Sequence, residues 1–232
     1  MSGYDASDLD SNPSPKDNDA HGTACAGIIG ASTNNGIGIA GIARNCMIMP
    51  IRHAIHQDYS SERAATGITW ARNHGADIIS CSFNPGYLVP DLDDAIDSAT
   101  TYGRGGLGCV IVFSSGNTYG SVSYPATRGN VISVGATNQS DEKWDYSGSG
   151  IELDVVAPSG ELEGQGDIWT TDISGSRGVS PTDYMSTFGG TSAACPLADG
   201  TVKLGGGALM LGQHSVRPEQ APYRVMKCGE EM

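Results

Sequence analysis

Asp77-Ile-Ile-Ser-Cys-Ser-Phe83 and Cys109-Val-Ile-Val-Phe113 are short apolar runs rich in β-branched residues. Near-continuous runs of this kind suit strands covered on both faces, as in a parallel sheet. Met47–Ile51 and Val131–Val134 read the same way. Between them lie helical patterns. Ala64, Ala65, Ile68 and Ala71 share one face, with Ser60 or Ser61 available as N-cap and Gly75 to close the helix. Leu92, Ile96 and Ala99 repeat the pattern. Strand, helix, strand, helix, strand predicts an α/β domain, with a parallel sheet and helices on its faces. In such sheets, sites gather where strands end and loops lead into helices.

Composition narrows the function classes. The 232 residues predict one domain with a substantial core. A net charge of −13 repels phosphate backbones, so nucleic acid is not the expected partner. No apolar run approaches the ~18 residues of a membrane helix. The first twenty residues are polar and acidic, without the apolar stretch of a secretory signal. Glycine is abundant, 33 residues without a period of three, which predicts tight turns and close backbone approaches. The six cysteines, Cys25, Cys46, Cys81, Cys109, Cys195 and Cys228, contain no C-x-x-C, against a zinc ribbon or a thioredoxin-type site. A disulfide among them stays open.

Three segments fit strand-end positions. His21-Gly-Thr-Ala-Cys-Ala-Gly-Ile-Ile-Gly30 puts a histidine at the head of a small-residue helix. Val110-Ile-Val-Phe-Ser-Ser-Gly-Asn117 delivers an amide through a glycine turn. Phe188-Gly-Gly-Thr-Ser-Ala-Ala-Cys-Pro196 opens space before Ser192, at a predicted helix N-terminus whose dipole favours developing negative charge. Singly, each has a plainer reading: a capping or solvated histidine, an N-cap serine, a turn asparagine. Their combination and order are far more specific.

Together the motifs His-Gly-Thr-x-x-Ala-Gly, Ser-Ser-Gly-Asn and Gly-Thr-Ser-Ala-Ala-x-Pro resemble the subtilisin-like serine proteases, the subtilases. Asn35-Gly-Ile-Gly-Ile-Ala-Gly41, His74-Gly-Ala-Asp-Ile-Ile-Ser80, Ser133-Val-Gly-Ala136 and Val155-Val-Ala-Pro158 extend the resemblance over about residues 3–200. It implies a doubly wound, mostly parallel sheet with helices on both faces in one domain. It also implies a secreted, monomeric endopeptidase acting on polypeptides through a Ser192 acyl-enzyme. His21 would be the general base. The Asn117 side chain and the Ser192 N–H would form the oxyanion hole. Ser82, Phe83, Asn84, Ser114, Ser115 and Gly116 would line the cleft, pairing with extended substrate and walling the pocket for its specificity side chain. The family usually has Gly where Asn84 stands.

The triad aspartate is not found. The family carries it in Asp-Ser-Gly or Asp-Thr-Gly after an apolar strand, and this sequence has neither tripeptide. Asp5, Asp8, Asp10, Asp17 and Asp19 lie in polar loop text. The expectation is therefore a chain that starts too late: residues 1–20 an acidic loop segment, 21–204 a peptidase core without its first strand. Residues 205–232 would form an atypical C-terminal segment, with Gly205-Gly-Gly207 and a helix start at Pro218-Glu-Gln220 broken by Pro222. Impaired peptidase activity follows, with a non-catalytic peptide-binding pseudoprotease as the alternative. In the serine helix, Asp199 and Lys203 interrupt the apolar pattern, and an aspartate facing the core needs a partner.

Smaller signals remain. The chemistry requires no cofactor. Asn34-Asn-Gly-Ile-Gly-Ile39 resembles the family's calcium loop, implying ligands from Asn35, Ile37 and Ile39; a plain Asn-Gly turn fits equally. Gly36-Ile-Gly-Ile-Ala-Gly41 matches a dinucleotide fingerprint by spelling alone, because a helix precedes it and a strand follows. Cys25 reads as a packing thiol, His53 and His56 as solvated.

Overall fold

A computed structural model of the chain describes residues 3–16, 18–55, 58–162 and 167–204. In chain order the elements are β1 (Tyr4–Asp5), α1 (His21–Gly30), β2 (Ile51–Arg52), β3 (Ala54–Ile55), β4 (Asp58–Tyr59) and α2 (Ser61–Asn73). There follow β5 (Ile78–Cys81), α3 (Pro90–Gly106), β6 (Val110–Ser114), β7 (Ile132–Thr137) and β8 (Val155–Pro158). The order closes with β9 (Ile168–Thr171), a 3₁₀ turn (Gly175–Arg177), β10 (Tyr184–Phe188) and α4 (Thr191–Leu204).

The centre is a four-stranded parallel sheet in the order β5-β6-β7-β8. Period-2 alternation sends Ile79, Cys81, Ile111 and Phe113 to one face, against Ala64, Ile68, Leu92 and Ile96 of α2 and α3. Val112, Val134, Ala136 and Ala157 face Ala194, Cys195 and Ala198 of α4 on the other side. Both faces are covered, which is why these strands read as unbroken apolar runs. The fold is the expected α/β arrangement.

The helix boundaries follow the caps. Ser60 Oγ accepts from the N–H of Arg63 at 3.4 Å, and Gly75 takes φ +83° just beyond the end of α2. In α1, Gly27 lets the helix pack closely against the β9–β10 hairpin: a Cβ there would fall 2.6 Å from Thr170 Oγ1. Thr170 instead donates to the Ala24 carbonyl at 2.6 Å. This contact fixes the helix that begins with His21.

Two expectations need correction. The Met47–Ile51 run is not a strand of the central sheet; only Ile51–Arg52 is extended, and Met47 is 70% exposed. Pro50 cannot donate to a ladder, so its carbonyl only accepts, from the N–H of Tyr4 at 3.0 Å. Asp5 is not in loop text. It lies in β1, paired in parallel with β2, and is fully buried against Arg52. Its other carboxyl oxygen accepts from the N–H groups of Ser7 and Asp8. Tyr4 also stacks on Trp70 of α2, 5.2 Å between ring centres. Asp17, His56, Gly205 to Gly207, Pro218 to Gln220, Pro222 and Cys228 lie outside the described residues.

Candidate active site

Ser192 is the second residue of α4, and Pro196 stands four residues after it in the same helix. Proline has no N–H, so the Ser192 carbonyl lacks its helical donor. Two other elements supply one. Ser82 Oγ, just past β5, donates to it at 3.0 Å, and Cys25 Sγ of α1 does so at 3.7 Å. Cys25 also lies 3.9 Å from His21 Nδ1, one turn earlier. Residues 21, 82 and 192 are thereby drawn around one point. The Ser192 hydroxyl donates to the Ser82 carbonyl at 3.4 Å rather than to His21.

His21 opens to solvent on one side and meets Phe188 edge-on at 5.3 Å between ring centres. Desolvation on its inner side holds its pKa below the usual histidine value, partly opposed by the charge of Asp19. The shift favours the neutral ring, the form a general base needs.

Asn117 follows the Ser-Ser-Gly turn at the end of β6. Its Oδ1 accepts from both the N–H of Thr191 at 2.9 Å and its hydroxyl at 2.8 Å. With the oxygen held twice, the Nδ2 amino group must face the other way. Gly190, at φ +70°, leaves the room for it: a Cβ there would sit 2.9 Å from Asn117 Nδ2. Ser159 Oγ fixes the Gly190 carbonyl at 2.6 Å. The Ser192 N–H lies in the first turn of α4, where helical N–H groups have no intrahelical acceptor. Both N–H groups, on Asn117 Nδ2 and at Ser192, belong to segments joined through Thr191.

The six expected cleft residues divide. Ser82 touches Ser192 directly. Phe83 turns inward, edge-on to Phe113 at 5.4 Å, and packs against the core. Asn84 Nδ2 donates to the Ser114 carbonyl at 2.8 Å while Ser114 Oγ donates to Asn84 Oδ1 at 3.2 Å. The carbonyls of Ser115 and Gly116 accept from the N–H groups of Ser123 and Gly148. All three carbonyls of 114–116 thus have a partner within the chain.

Several neighbours were not foreseen. His53 is not a solvated histidine: its ring lies 4.5 Å from that of Phe83, and burial, with His21 nearby, pushes its pKa down to about 4. Thr191 fixes Asn117, a role that no local motif signals. Burial pushes the Cys25 thiol up to about 12, so it stays protonated and packs as expected. The five described cysteines, Cys25, Cys46, Cys81, Cys109 and Cys195, are all free thiols. Asp199 is 2% exposed, and its pKa is raised to about 7 by burial, offset in part by hydrogen bonds to Ser80 and Cys195. In the 34–39 loop, Asn35 Oδ1 accepts from the N–H of Ile37 at 3.0 Å. No carboxylate belongs to that loop.

A model of the subtilase family matches residues 2–204. The chain belongs to that family. This subtilase is 36% identical over 221 residues to a calcium-dependent protease of Nostoc sp., covering 83% of this chain and 33% of that protein. It is 34% identical over 206 residues to thermitase of Thermoactinomyces vulgaris, with 88% and 66% covered. A solved protease structure from Pseudoalteromonas arctica aligns with TM-score 0.75 and 27% identity, over 88% of this chain and 70% of that one. The chain therefore spans about a third of the Nostoc relative's length. Among the described residues of this subtilase, no helix is long and apolar enough to cross a membrane.

Proposed function

We propose that this subtilase is a serine endopeptidase that cleaves polypeptides through an acyl-enzyme on Ser192. His21 takes the hydroxyl proton as Ser192 attacks the scissile carbonyl, then returns it to the leaving amine. Asn117 Nδ2 and the Ser192 N–H receive the oxyanion. The observation that supports this reading is the double hydrogen bond from Thr191, the neighbour of Ser192, to Asn117 Oδ1, at 2.9 and 2.8 Å, which leaves the donor end of the amide free of that bond.

The same reading predicts weak activity for this polypeptide. A triad carboxylate on Nδ1 would fix the tautomer and stabilise the imidazolium. Here Nδ1 faces the protonated thiol of Cys25. In subtilisin, loss of the triad aspartate alone lowers kcat by about 3 × 10⁴, a figure that belongs to subtilisin. The Ser192 hydroxyl turned toward Ser82 favours a second reading, a cleft that holds extended peptide without cutting it.

A fluorophosphonate probe separates the two. Labelling that is lost in Ser192→Ala supports the enzyme; tight peptide binding with no labelling supports the binder. Secretion and a monomeric state belong to the same proposal, on family resemblance. So does a structural calcium at the 34–39 loop, held by Asn35, Ile37 and Ile39. Without a carboxylate, that oxygen set fits only a weak site.

A further inference from the structure

We infer that Asn84 restricts the substrate residue on the acyl side of the scissile bond to a small side chain, glycine, alanine or serine. The inference rests on the acyl-enzyme reading above. Two segments arrive at Ser192 from neighbouring strands. Ser82 follows β5 and exchanges hydrogen bonds with Ser192, and Asn117 ends the turn after β6 and is held by Thr191. A carbonyl attacked by Ser192, with its oxygen at Asn117 Nδ2, lies between these segments. Its flanking side chain must enter the slot between 82–84 and 114–117.

That slot is already filled. Asn84 spans it, donating to the Ser114 carbonyl at 2.8 Å and accepting from the Ser114 hydroxyl at 3.2 Å. Gly116, at φ +95°, stands on the opposite wall. A Cβ there would collide with Ser123 and come within 3.7 Å of Asn84 Oδ1. The bridge is held at both ends of its amide, so it does not swing aside without giving up two hydrogen bonds. Ser114 is 1% exposed, so water replaces those bonds poorly. An aromatic or long aliphatic side chain must break the bridge to enter; a methyl group need not.

Peptide boronic acids test this on the 232-residue chain, because they bond to a serine hydroxyl without requiring turnover. Affinities of otherwise identical peptides ending in the alanine or the phenylalanine analogue are compared by titration calorimetry. The expected result is preference for the alanine analogue by about tenfold or more, with Asn84→Gly reversing or abolishing it. Asn84→Ala, which keeps more backbone restraint, gives a partial shift if the glycine variant misfolds. Equal affinity in the parent chain, or an unchanged ratio in both variants, overturns the inference while leaving the enzyme reading intact. Failure of both boronic acids to bind, together with no fluorophosphonate labelling, overturns the enzyme reading and this inference with it.

Discussion

Pro196 and Ser192 occupy one helix four residues apart, and the carbonyl of Ser192 is bonded by Ser82 and Cys25 instead of by a backbone N–H. A helix breaker has become a docking point. If so, Ser82→Ala costs about 1–2 kcal/mol of stability in the parent chain, from a half-buried acceptor left short of its donor. It costs less in a Pro196→Ala background, where residue 196 supplies an N–H. Denaturant titration of the four proteins in that cycle measures the coupling. Strict additivity would contradict the assignment.

Among the described residues, the oxygen of the Asn117 amide is held by Thr191, through both its N–H and its hydroxyl. Asn117→Leu is expected to slow fluorophosphonate labelling of Ser192 by about 10² or more, a scale taken from the equivalent loss in subtilisin. Thr191→Val, which removes one of the two bonds, falls between. Unchanged labelling in Asn117→Leu would remove the amide from the mechanism.

His21 has a lowered pKa, so its neutral form persists below the usual 6.5. The labelling rate should hold as pH falls past 6.5 and drop only below it. Asp19 opposes the shift, so Asp19→Asn moves the midpoint lower still. A midpoint at or above 6.5 in the parent chain argues against a desolvated base.

Asp199 carries the opposite sign. Its pKa rises from 3.8 to about 7 in the folded chain, which therefore binds the proton more tightly than the unfolded chain does. Stability is full below pH ~4 and is lost as pH climbs through 7. The thiols facing it, Cys81 and Cys195, are pushed well above their ordinary range by burial and do not titrate in that window. Asp199→Asn should flatten the curve and add about 4 kcal/mol at most at pH 8. Thermal melts between pH 4 and 8 read it directly, and parallel curves for the two proteins would disprove it.

Calcium at the 34–39 loop predicts a modest thermal effect. With affinity near the weak end for oxygen sites, about 10 mM calcium raises Tm by roughly 3 °C or more over a chelator control. Asn35→Ala abolishes the difference. Identical melts in the parent chain reduce the loop to an Asx turn.

The parallel sheet was readable because its strands are covered on both faces and leave apolar runs that polar alternation would have broken up. The three motifs were readable because each is local: a residue and the small neighbours that let it approach. What escaped lies between segments or against the pattern. Met47–Ile51 has strand composition, but Pro50 removes the donor that a ladder needs. Asp5 sits in a strand of two residues, too short for any period to show. The Asn84–Ser114 bridge joins positions 30 residues apart, and the Thr191–Asn117 lock joins positions 74 apart. His53 reads as a loop histidine until the fold lays it on Phe83. Proline four positions beyond the serine was visible throughout; its meaning needed the helix around it.

The buried pairing of Asp5 with Arg52 has a practical consequence for anyone trimming this polypeptide. Arg52 is 7% exposed and pairs with both Asp5 and Asp8, so removing both carboxylates strands a guanidinium in the interior at about 3–5 kcal/mol. Small domains have a total margin of about 5–15 kcal/mol. A deletion that begins at the catalytic-looking histidine would thus forfeit much of what keeps the rest upright, and the acidic leader is better understood as a keel than as packaging.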